Sequence, residues 1–149
     1  MFNSVHTMQT SYVDQARTFI QATKARVTKP RVSVLALLLG QQESLSHHEI
    51  QKRLSDAALD PVTLYRVLEW LTDHQLVHRI AGADQAWRFS AGSGQHKHEH
   101  AHFQCTRCAM MTCFTDIGLP EKMTLPEGFR SEEVEVLIKG TCPNCNKAR

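Results

Sequence analysis

Four of the five cysteines fall into two pairs of identical spacing, Cys105-x-x-Cys108 and Cys142-x-x-Cys145, the second framed by Gly140, Pro143 and Asn144. A two-residue gap lets both sulfurs of a pair reach one ion, so two such pairs can surround a zinc tetrahedrally. A shell of four thiolates leaves no open position, so this zinc is expected to be structural, pinning the last strand of its domain to the first. His96, His98, His100 and His102 alternate with other residues just upstream of the first pair. In an extended strand alternate side chains share a face, so these imidazoles can converge on a metal. All four cannot ligate one ion together with other residues, so some would serve as outer partners or hold a second ion. A histidine-rich loop with no metal role gives the same pattern.

His98-Glu99-His100-Ala101-His102 also satisfies H-E-x-x-H, in which two histidines one helical turn apart bind zinc and the glutamate activates water. That chemistry requires a helix. The alternation, the flanking Gly94 and the cysteine pair directly after Phe103-Gln104 favour a strand or extended loop, so the match reads as coincidental, and a zinc-dependent hydrolase using Glu99 is kept only as the rival from another class. A zinc-ribbon interaction module or metal-storage protein is a third. Cys113, the odd thiol, is either a small buried residue or a ligand beside the histidines, where thiolate and imidazole select zinc over harder ions. His78 is the other candidate ligand, and would let metal occupancy bear on a DNA-binding unit.

The elements that must position these groups are legible along the chain. Ser11 to Ala25 has Tyr12, Ala16, Phe19, Ile20 and Thr23 at helical spacing. Thr28 and Pro30 start a second helix, Arg31 to Leu39, ending at Gly40. Ser46 with Glu49 forms a capping box for a short third helix, and Asp60-Pro61 opens a fourth that runs to about His74. In that fourth helix Leu64, Val67, Leu68 and Leu71 form one stripe, with Val62, Arg66, Glu69 and Asp73 opposite and Tyr65 and Trp70 on the flanks. Leu76 to Ile80 and Ala86 to Phe89, joined through Ala81-Gly82-Ala83-Asp84, read as a hairpin. Helices followed by a hairpin make a winged helix-turn-helix whose fourth helix reads a DNA groove. Beyond Ala91-Gly92-Ser93-Gly94 the period changes to two, with strands expected over Phe103 to Gln104, Met110 to Phe114 and Glu132 to Ile138, and a short helix between Ile117 and Met123.

The expected fold is therefore α+β: a winged-helix DNA-binding domain over residues 1–91, a hinge near 92–94, and a small metal-binding dimerisation domain over 95–149. The net charge of +2 is too small to announce nucleic-acid binding by itself. It is unevenly placed, with five basic residues against one acid through Arg31 but seven of each sign from Ser93 onward. No apolar run is long enough to span a bilayer or form a signal-peptide core, so the reading is a cytoplasmic protein with no membrane partner, whose thiols stay reduced.

These residues together resemble the ferric uptake regulator family, and more closely its zinc uptake regulator branch, from about Tyr12 to Cys145. The resemblance rests on Val27-Thr28-x-Pro30-Arg31, Thr63-x-Tyr65-Arg66-Val67-Leu68, the histidine run leading into Cys105-x-x-Cys108, and Gly140-x-Cys142-x-x-Cys145. It implies a homodimeric, metal-dependent repressor of metal-uptake genes that binds palindromic double-stranded operators and has no catalytic residues or small-molecule substrate. Tyr65 and Arg66 would meet the DNA, joined by Thr63, Arg31 and Lys29, the last on phosphate. Zinc is the expected cofactor, one structural ion and at least one regulatory ion per protomer. His78, His98, His100 and Cys113 are the expected regulatory ligands, with His96 and His102 in reserve. Iron-, nickel- and peroxide-sensing members of the same family are alternatives. Against the iron and peroxide branches, Ala101 stands where they have an acid, and Ser44 and Ser90 fall near where they have histidine and acid. Cys113 itself departs from the acid that the zinc branch has near that place.

Overall fold

A computed structural model describes residues 4–82, 84–92, 101–114, 117, 124–132 and 134–147. The chain divides into two units, Met1–Gln95 and His96–Arg149. The first holds helices α1 (Ser4–Ala22), α2 (Lys29–Leu39), α3 (His47–Arg53) and α4 (Pro61–Asp73), a 3-10 turn at Ser55–Ala57, and strands β1 (Leu45–Ser46), β2 (Val77–Ala81) and β3 (Trp87–Ala91). The second holds β4 (Ala101–Cys105), β5 (Met111–Phe114), β6 (Val136–Gly140) and a short helix α5 (Pro143–Lys147).

Local chemistry sets the helix starts. The Ser46 hydroxyl accepts from the Glu49 amide at 3.2 Å while the Glu49 carboxylate accepts from the Ser46 amide at 2.8 Å, so the capping box is complete. Asp60 accepts from the Thr63 amide at 2.9 Å, and Pro61 occupies the position where a missing N–H costs nothing. Thr28 stands at the start of α2 in extended conformation, but its side chain makes no capping bond, contrary to the expectation from sequence. Its carbonyl instead accepts from the Val32 amide at 3.1 Å.

Helix α2 is buried through Val32, Val34, Leu35, Ala36 and Leu38 and forms the centre of the first unit. Ala16 and Ile20 of α1 and the predicted α4 stripe, Leu64, Val67, Leu68 and Leu71, close the same core with Ile50 and Phe89. Helix α1 begins at Ser4, before the expected start, and ends at Ala22 rather than Ala25. It stops there because the Thr23 hydroxyl takes the Ile20 carbonyl at 2.6 Å and Lys24 turns the chain at φ 61. Gly40 ends α2 without left-handed geometry, at φ −81; its lack of a side chain serves packing, since a Cβ would lie 3.3 Å from the Tyr12 ring.

The first sheet has the order β1-β3-β2 and is antiparallel throughout. β1, absent from the sequence reading, is too short to carry a period, and it seats Leu45 against Phe89 and Ser46 against Arg88. At the wing turn the Gly82 amide donates to the Ala86 carbonyl at 2.9 Å, and a Cβ on Gly82 would meet Asp84 Oδ1 at 2.6 Å. The second sheet has the order β5-β4-β6, with β5 antiparallel and β6 parallel to the central β4. β6 begins at Val136, later than the expected Glu132.

Candidate metal centres and nucleic-acid face

The parallel pairing of β4 with β6 sets Cys105 opposite Gly140, so the two cysteine pairs follow from adjacent strand ends. After β4 the chain makes a tight turn in which the Cys105 amide donates to Met110 O at 2.8 Å and the Ala109 amide to Cys105 O at 3.0 Å, with Ala109 at φ 59. Thr106 fastens this turn to β6 by donating its amide (2.8 Å) and its hydroxyl (3.2 Å) to Gly140 O. Gly140 also allows Phe103 to close in, since a Cβ there would lie 3.1 Å from that ring. Arg107 donates to Cys145 O at 3.2 Å, and α5 holds Cys145 within reach.

All four sulfurs lie within 4.8 Å of one another, and Cys108 Sγ is 3.8 Å from Cys142 Sγ. Sulfurs about 2.3 Å from a zinc at tetrahedral angles lie about 3.8 Å apart, so the cluster fits such an ion. The Cys142 amide donates to Cys105 Sγ at 3.4 Å and the Cys145 amide to Cys142 Sγ at 3.5 Å, the pattern of N–H groups turned toward thiolate. Amides of Cys108 and Cys142 hold the Cys105 thiol down to about 6. The thiols of Cys142 and Cys108 push Cys145 up to about 12. Four crowded thiols cannot all ionise without a cation, and a divalent ion resolves that conflict.

Register also brings His102 of β4 opposite Cys113 of β5, with the ring Nδ1 3.5 Å from Sγ. His102 is buried and Cys113 half-buried. The sequence reading held His102 only in reserve; the signal it lacked was the strand register, which periodicity does not supply. His96, His98, His100 and Glu99 lie outside the described residues. His78 sits in β2 opposite Ser90 and is half-buried. Ala101 is buried and offers no ligand atom, and Ser44 is buried with its hydroxyl unpartnered.

Helix α4 turns Val62, Tyr65 and Arg66 outward, Tyr65 with 59% of its surface exposed. Lys29, at the start of α2, is exposed as well. The Thr63 hydroxyl is engaged by Asp60 Oδ2 at 2.5 Å, which together with the Thr63 amide holds the Asp60 carboxyl below its usual value of 3.8. Arg31 lies over Trp70, its guanidinium carbon 3.7 Å from the ring centre, and donates to Arg26 O at 2.7 Å. Between α2 and α4 runs a shallow cleft of about 320 Å³, lined by Thr28, Pro30, Arg31, Thr63, Arg66 and Trp70 among others. The sequence reading placed Trp70 on the flank of the helix and gave it no role.

The first unit is thus a helix-turn-helix with a hairpin wing, and the second is built on a four-cysteine cluster. A model of the ferric uptake regulator family matches residues 22–138, and the chain belongs to that family. The transcriptional regulator FurA of Mycobacterium tuberculosis is 29% identical over 142 residues, covering 91% of this chain and 90% of that protein. Among solved structures, a zinc uptake regulator complexed with zinc and DNA aligns with TM-score 0.71 at 22% identity, over 94% of this chain and 96% of that one. The ferric uptake regulator from Francisella tularensis with iron aligns with TM-score 0.59 at 21% identity, over 82% and 95%. At these identities the two structures share the fold. Members of the family are transcription regulators rather than enzymes, which removes the hydrolase reading. Consistently, His102 lies in strand β4 rather than on the helix that H-E-x-x-H chemistry demands.

Proposed function

We propose that the chain is a zinc-responsive repressor that binds palindromic operator DNA as a zinc-loaded homodimer and controls metal-uptake genes. Cys105, Cys108, Cys142 and Cys145 hold the structural zinc. A regulatory ion is held by His102 and Cys113, with His78 and one or more of His98, His100 and His96 added on the sequence resemblance alone. The observation that carries the zinc reading is the His102–Cys113 pair: an imidazole nitrogen 3.5 Å from a thiol is a soft donor set, suited to zinc and poor for the harder iron(II) or manganese.

Operator binding is supported by the outward Tyr65 and Arg66 on α4 and by the similarity to a zinc uptake regulator complexed with zinc and DNA. Self-association is supported by Leu137, Ile138 and Phe129 of the second unit, apolar side chains exposed in the single chain. Among the described residues no helix is long and apolar enough to cross a membrane, and the reading places the protein in the cytoplasm, where thiols remain ligands.

The test is a zinc titration of protein that retains its structural ion, with DNA binding followed in parallel and iron(II), nickel(II), manganese(II) and peroxide as comparators. Two classes of zinc are expected, only the weaker one governing affinity for DNA. Activation by another metal at lower free concentration, or indifference to a chelator that spares the tight class, would overturn the zinc reading.

A further inference from the structure

Trp70 holds both a cation and a second ring at contact distance. The Arg31 guanidinium lies 3.7 Å from its ring centre, and the His74 ring stacks on it at 4.0 Å with 29° between planes. His74 is fixed in turn, its Nδ1 2.8 Å from Trp70 O; because a carbonyl only accepts, Nδ1 carries the proton. Arg31 gives one N–H to Arg26 O, which leaves further donors of its planar fork for a partner. Arg66 lines the same cleft, whose walls carry two guanidinium groups and no carboxylate, with Pro30 and Val67 adding apolar surface. Among the described residues neither arginine forms an ion pair.

A cleft with paired guanidinium groups beside apolar surface suits a phosphodiester, whose anionic oxygens take forked N–H donors while its sugar rests on carbon. An arginine on a bare surface must first freeze several torsions to align that fork, and stacking on an aromatic face freezes them beforehand. We propose that this cleft seats one phosphodiester of the operator backbone, and that Trp70 is the positioning residue that holds Arg31 for it. The inference rests on the operator-binding reading above.

The test uses the full-length, zinc-loaded protein and a duplex selected from a random-sequence pool by the wild type. Arg31→Ala is expected to weaken binding and to lower the slope of log affinity against log salt by about one, the signature of one lost phosphate contact. Trp70→Leu is expected to weaken binding about 3- to 10-fold, while Trp70→Phe, which keeps an aromatic face, stays close to wild type. In the Arg31→Ala background Trp70→Leu is expected to cost nothing further. An equal loss with and without Arg31 would make Trp70 merely structural and overturn the proposal, as would an unchanged salt slope in Arg31→Ala. If the wild type selects no duplex at all, the operator-binding reading fails instead.

Discussion

One oxygen of Glu49 accepts from the Ser46 amide at 2.8 Å and from the Arg88 guanidinium at 3.2 Å, so a single carboxylate closes the start of α3 and ties it to the wing strand β3. The Arg88 side chain is only 14% exposed, and Ser46 and Arg88 are already partners in the β1–β3 ladder. The bond therefore fixes the wing to the helix-turn-helix where backbone pairing alone spans two residues.

Glu49→Ala is expected to lower the unfolding free energy by about 1–2 kcal/mol, the loss of a cap plus a partly buried ion pair, measured by urea unfolding in excess zinc. Glu49→Gln keeps the acceptor for Ser46 and loses less. Burial raises the Glu49 carboxyl, but the Ser46 hydrogen bonds, Arg88 and Arg53 outweigh it and hold the group below its ordinary 4.5. A depressed folded value stabilises above the unfolded one and stops doing so as pH falls through it. The gap between wild type and Glu49→Gln should thus stay constant at neutral pH and shrink below about pH 4.5.

For the cysteine centre, Cys108→Ser is expected to release one zinc per protomer, because structural zinc contributes about 10–16 kcal/mol only with its full ligand set. Hydrogen exchange should then show β4 and β6 unprotected while α4 keeps its protection. Full zinc retention with intact β6 protection would contradict the assignment.

At the proposed regulatory site, His102→Ala and Cys113→Ser are each expected to weaken zinc-dependent DNA binding at least about tenfold while the tight zinc remains. Cys113→Asp exchanges a soft donor for a hard one and should shift the preference toward iron(II) or manganese. Wild-type zinc response in all three variants would remove the site.

Arg66→Ala is expected to reduce affinity for the selected duplex by about 1–3 kcal/mol with zinc content unchanged. Binding indistinguishable from wild type would move the recognition surface off α4.

What the sequence disclosed was what neighbours in the chain decide together. Ser46 with Glu49, Asp60 with Pro61, and the Leu64–Val67–Leu68–Leu71 stripe are local devices, and each stands where their spacing put it. The cysteine pairs were equally legible, because ligand chemistry constrains spacing more tightly than packing does. Contacts between distant residues were not: Glu49 and Arg88 lie 39 positions apart, and Arg31 and Trp70 sit on different helices. Which histidine faces Cys113 depends on the β4–β5 register, and alternate residues are equivalent until a partner strand chooses among them. Thr28 shows the converse, a residue type suited to capping whose hydroxyl the helix does not use.

Because β4 lies directly beside β6, the first described strand of the second unit is completed by the last. During synthesis the core formed by α1, α2, α4 and Phe89 is complete before β4 emerges, whereas the four-thiol cluster gains its third and fourth corners only when Cys142 and Cys145 appear. A ribosome that stops short of them would release the helices and wing with two thiols in place of four and with β4 lacking its parallel neighbour.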